Sequence, residues 1–85
     1  MSQTFKEFVI LQNYPDDPRR DFKEDMQRDK RFPSNVAASA EGYRRIRNYL
    51  STRRACSGAM RTFRTIWSEY YQAETGKTFP GRETY

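Results

Sequence analysis

Apolar residues recur along this chain at helical spacing in four places, and polar or proline-containing stretches separate them. Phe5, Phe8, Val9 and Gln12 follow the i, i+3, i+4, i+7 pattern of a helix with one buried stripe, which predicts a first helix over residues 4–12. Asn13-Tyr14-Pro15 ends it, because the residue before a proline is pushed out of the helical region. Asp17 can then cap a second helix and Pro18 can occupy its first position, with Asp21 and Glu24 near the positive end of the helix dipole. This helix is predicted to run from Pro18 to about Asp29, and its narrow buried edge consists of Phe22 and Met26.

Arg31-Phe32-Pro33-Ser34 breaks the second helix, and Phe32 is expected to tuck the connection into the core. Residues 35–40 are small and polar and read as a loop or one short turn. Ser39 offers a cap for a third helix over residues 40–51, with Tyr43, Ile46, Tyr49 and Leu50 on one face. A fourth helix opens near Ser57, carries Met60, Phe63, Ile66, Trp67 and Tyr70 inward, and meets a natural left-handed terminator in Gly76. Beyond Lys77 the helical period is lost, although Phe79-Pro80 can fold back on the helices. The expected architecture is all-α: one compact four-helix domain over residues 1–76 with short loops, then an irregular tail over 77–85.

Composition adjusts this picture. A chain of 85 residues has room for one domain, burying only about 60% of its unfolded surface. Apolar residues make up 35% of it and charged residues 32%, a balance that leans toward disorder until the 15% of Phe, Tyr and Trp is counted. Large aromatic side chains bury much area each, so a few of them close a small core. The lone Cys56 rules out an intramolecular disulfide and, with no histidine present, a thiolate or imidazole metal site. The apolar run Phe8-Val9-Ile10-Leu11 is too short for a secretory signal or a membrane span, so a cytoplasmic protein that avoids the membrane is expected.

Charge is distributed unevenly. Residues 1–33 hold seven basic and seven acidic side chains and are neutral overall. Between Glu41 and Glu69 there are seven arginines, Arg44, Arg45, Arg47, Arg53, Arg54, Arg61 and Arg64, and no acid. Arg44, Arg45 and Arg47 lie off the apolar face of the third helix and are expected in solvent; Arg61 and Arg64 flank the stripe of the fourth. Such a patch concentrates anions, and each phosphate it neutralises releases counterions. The plainer explanation is a solvated face with arginines kept for solubility.

Catalysis is not expected. The commonest general base is missing, and Cys56 lacks a histidine partner. The acids of the second helix interleave with basic residues as surface pairs, Glu24 with Arg28 for example, rather than as a metal or acid–base cluster. Cys56 itself reads as a small residue at a helix start, and Tyr71 as a half-buried rim residue or an exposed platform for bases. No cofactor is expected.

The apolar framework resembles a known family. Phe5-x-x-Phe8-Val9, an acidic helix ending in Asp29-x-x-Phe32-Pro33, Ser39-x-x-x-Tyr43-x-x-Ile46-x-x-Tyr49-Leu50 and Met60-x-x-Phe63-x-x-x-Trp67-x-x-Tyr70 are similar, in that order, to the YozE-like family of small bacterial proteins. The resemblance implies a compact sterile-alpha-motif-like fold and carries over no catalytic residue. The chain departs from that pattern at Arg64, where relatives carry an acid, and at Ile66, where they carry alanine. Two function classes follow. One is a nucleic-acid-binding module that uses the seven arginines on DNA or RNA phosphates. The other is a protein-interaction module whose basic face meets an acidic protein surface, with a phage- or plasmid-encoded protein that binds a host protein as one variant.

Overall fold

The computed structural model describes residues 3–79. Four helices follow one another: α1 (Phe5–Leu11), α2 (Pro18–Arg28), α3 (Ala40–Thr52) and α4 (Ser57–Thr75). Their starts are set by local chemistry. Thr4 and Glu7 form a reciprocal capping box, Thr4 Oγ1 accepting from the Glu7 amide and Glu7 Oε1 from the Thr4 amide. Asp17 caps α2 through the Arg19 amide with Pro18 at the first position, and Ser39 caps α3 through the Gly42 amide. Cys56 caps α4, its Sγ accepting from the Ala59 amide at 3.4 Å. Gly76 ends α4 in the left-handed conformation, φ 73°, where a side chain would be strained.

The helices meet on aromatic rings. Phe5 lies at the centre, with ring centroids 5.3–6.3 Å from Phe22, Phe32, Phe63, Trp67 and Tyr70. Those partners come from α2, the connection after it, and α4; Tyr43 of α3 joins by stacking on Phe63 at 5.3 Å. Phe5, Val9, Ile46, Phe63, Ile66, Trp67 and Tyr70 are wholly buried. At about 25 cal/mol for each Å² of apolar surface removed from water, rings of this size are the main source of stability.

The connection over residues 33–39 is more structured than its polar composition suggests. Val36 is buried, and its carbonyl accepts from the Phe5 amide at 3.0 Å. Tyr70 closes the same corner by donating its hydroxyl to the Gln3 carbonyl at 2.6 Å. Burial, with Glu74 and Glu7 nearby, pushes that hydroxyl's pKa up to about 12. Phe79 does fold back, its ring 4.9 Å from Tyr43, 6.0 Å from Trp67 and 5.0 Å from Tyr71. Pro80 and the rest of the tail lie outside the described residues.

Three sequence expectations need adjustment. Gln12 does not extend the buried stripe: α1 stops at Leu11, and the Gln12 side chain turns back to the Phe8 carbonyl at 3.0 Å. Glu24 reaches back to Arg20 at 3.6 Å instead of forward to Arg28, which pairs with Asp25 at 3.5 Å. Tyr49 and Leu50 are half-buried, because the C-terminal end of α3 borders a groove beside α2, and Met60 in the first turn of α4 is likewise half-buried and outside the core.

Two glycines give opposite expectations. A Cβ on Gly42 would lie 2.3 Å from the Ala37 carbonyl oxygen and 2.7 Å from Val36 Cγ1, so α3 can approach this loop only without a side chain there. Gly42→Ala should destabilise the protein by roughly 1–3 kcal/mol. Gly58, on the exposed first turn of α4, meets only Cys56 Sγ at 3.9 Å. Gly58→Ala should stabilise by about 0.5–1 kcal/mol through the unfolded chain. Urea denaturation followed by circular dichroism measures both.

Candidate functional site

The arginines between Glu41 and Glu69 take their positions from the helices that carry them. Tyr43 and Ile46 turn into the core, which leaves Arg44, Arg45 and Arg47 exposed on the outer side of α3. Arg44 and Arg47 are three residues apart and so are neighbours on that side, with Asn48 beside them. Arg45 points back toward the loop, its Nη2 donating to Asn35 Oδ1 at 3.4 Å.

Between α3 and α4 the backbone closes in a Schellman motif. The Ala55 amide donates to the Leu50 carbonyl and the Arg54 amide to the Ser51 carbonyl, both at 3.0 Å. That geometry requires a left-handed residue, and Arg54 takes it with φ 59°. A residue with a Cβ pays about 1–2 kcal/mol for this conformation, and glycine avoids it. Arg54 is exposed, and like Arg44 and Arg47 it forms no ion pair with a described residue.

The seven arginines do not form a single face. Arg53 turns toward α2, its guanidinium 5.5 Å above the Tyr49 ring and 3.6 Å from Asp29. Arg61 lines recesses on the α2 side together with Asp17, Arg19, Asp21 and Asp25. Arg64 is half-buried on α4. The arrangement therefore separates an outer set, Arg44, Arg45, Arg47 and Arg54, from Arg53 and Arg61, which share their surroundings with carboxylates.

Polar links hold α2 against its neighbours and keep this separation. Arg19 bridges Asp17 at 2.9 Å and Glu69 of α4 at 3.0 Å, and its guanidinium lies 5.0 Å over the Tyr14 ring. Burial, then the nearby Glu69, raises the Tyr14 hydroxyl to about 12. At the other end of α2 the Tyr49 hydroxyl donates to Asp29 at 2.5 Å. That hydrogen bond, then the Arg31 amide and the Arg53 charge, holds the Asp29 carboxyl below its ordinary value of 3.8.

Other candidates take plain structural positions. Cys56 is exposed at the cap of α4, and Tyr71 is a half-buried rim residue against Phe79. Among the described residues no group of three or more Cys, Asp or Glu side chains could hold a metal, and no helix is long and apolar enough to cross a membrane. The Arg54 conformation and the recesses beside α2 escaped the sequence reading. No glycine stands between Leu50 and Cys56, which was the available hint that a residue with a side chain must end α3.

A carboxyl whose folded pKa lies below 3.8 stabilises the fold above that pH and loses the contribution as pH falls through the folded value. Tyr49→Phe should therefore cost about 1 kcal/mol near neutrality. The gap between variant and parent should shrink steadily below about pH 4, as measured by urea denaturation across pH.

Residues 4–72 match the profile of a family described as YozE SAM-like fold. No curated protein and no solved structure matches the chain.

Proposed function

The chain belongs to the YozE SAM-like fold family over residues 4–72, and from that premise we propose that it is a non-catalytic module that binds nucleic acid through phosphate contacts on the outer side of α3 and the α3–α4 junction. A fold alone does not specify a function, so the reading rests on the site. Arg44, Arg47 and Arg54 are its main contacts and Arg45 a flanking one. Arg53 and Arg61 contribute less, because carboxylates already surround them.

The observation that carries this reading is Arg54. An exposed arginine occupies the left-handed terminator of α3, where glycine would serve the backbone at lower cost. Strain of this kind is commonly retained where the side chain is needed. Its neighbours supply the rest of the interface: Arg44 and Arg47 stand on one side of a helix, and no acid lies between Glu41 and Glu69. A guanidinium presents its donors in a planar fork suited to phosphate oxygens.

The test uses the anisotropy of a labelled duplex of about 30 base pairs and a matched single strand, from 50 to about 200 mM salt. Binding should weaken steeply with salt, and Arg44→Ala or Arg47→Ala should each lower the logarithmic salt slope by about one. Arg54→Gly separates binding from folding. It should raise stability by about 1 kcal/mol while weakening the complex, an outcome that misfolding cannot produce. Absence of binding at the lowest salt, or binding that ignores all three substitutions, contradicts the proposal.

A further inference from the structure

Between α2 and the α3–α4 junction runs a groove made of two adjoining recesses of about 350 and 400 Å³ that share Phe22, Asp25, Cys56 and Ala59. Its floor is apolar, formed by Phe22, Met26, Phe32, Leu50, Ala55 and Ala59. Its α2 wall carries Asp21 and Asp25, and Arg61 stands on the α4 wall. We infer that this groove docks a short amphipathic segment of a partner protein, with apolar side chains on the floor and a basic edge against Asp21 and Asp25. The inference goes beyond nucleic-acid binding: of the arginines proposed to meet phosphate, only the lesser contributors Arg53 and Arg61 line this groove, and Arg44, Arg47 and Arg54 do not.

The charges of the groove decide the chemistry of its occupant. Asp29 is already engaged, accepting from the Tyr49 hydroxyl and the Arg31 amide and facing Arg53 at 3.6 Å. Asp21 forms no ion pair with a described residue. Asp25 meets only Arg28 among the described residues, at 3.5 Å, and with side chains 79% and 74% exposed such a pair holds weakly. Asp21 and Asp25 are four residues apart and so project from one edge of α2, one helical turn from each other. Two lysines or arginines at the same spacing on a helical segment match them. Asp21, Asp25 and Asp29 outnumber Arg53 and Arg61 in the lining by one, which disfavours a phosphate chain here, while the apolar floor offers burial that a peptide's leucines can use. Each recess has the volume typical of sites that accept a side chain or small ligand.

The net charge of the chain makes the inference easy to separate from loose attraction. At +5, the protein draws an acidic peptide to its surface more strongly than a basic one. A preference for the basic peptide can arise only from local carboxylates. The probes are two helical peptides of about 12 residues with the same leucine stripe, one bearing lysines at i and i+4 on its edge and the other glutamates. Methyl NMR of Met26, Ala55 and Ala59 reads occupancy of the groove. The lysine peptide should shift these methyls and bind at least about tenfold more tightly than the glutamate peptide.

In the variant Asp21→Asn/Asp25→Asn that preference should vanish while duplex binding is retained. Both residues are exposed, so the fold is kept, and Trp67 emission verifies it. Equal or tighter binding of the glutamate peptide overturns the inference. So does the absence of methyl shifts at about 1 mM lysine peptide, or a lysine preference that survives in the variant.

Discussion

Everything in this small protein depends on closing one aromatic core around Phe5. Its ring touches Phe22, Phe32, Phe63, Trp67 and Tyr70, so the first helix, the second, the connection after it and the last all converge on a single side chain. The convergence is possible because Val36 brings the loop close enough to accept from the Phe5 amide, and because Gly42 lets α3 approach that loop. Among the described residues the buried apolar side chains form one cluster, and the fold is built on it.

The same constraint arranges the charges. With Tyr43 and Ile46 facing inward, α3 leaves Arg44 and Arg47 exposed, and with Phe22 and Met26 facing inward, Asp21 and Asp25 stand at the rim of α2. Cross-links at each end of α2, Arg19 with Glu69 and Tyr49 with Asp29, then fix its acidic edge beside the α3–α4 junction. The outcome is a molecule with two chemically distinct surfaces: an outer side on which Arg44, Arg47 and Arg54 form no ion pair with a described residue, and an apolar groove with carboxylates on one wall. The left-handed Arg54 stands where α3 meets α4, and its backbone cost is offset by the hydrogen bonds of the Schellman motif around it.

The helices and most of the core were legible in the sequence because the period of 3.6 residues and the capping residues Asp17, Ser39 and Gly76 are local signals. So was the return of Phe79, whose apolar ring has only the core to pack on. Val36 was not, since a single apolar residue in a polar loop has no period. The pairing of Glu24 with Arg20 was missed because two basic partners stood one turn away on either side of it. The site was legible as a list of arginines and not as a surface. Which of them meet carboxylates depends on where α2 lies against α4, and only the tertiary structure supplies that.

The most direct measurement is the protection of individual arginines from phenylglyoxal, read by mass spectrometry with and without a saturating DNA duplex at low salt. The account predicts that Arg44, Arg47 and Arg54 become protected while Arg20 and Arg28 on α2 react as they do in the free protein. Protection spread evenly over all exposed arginines, or confined to α2, would contradict it.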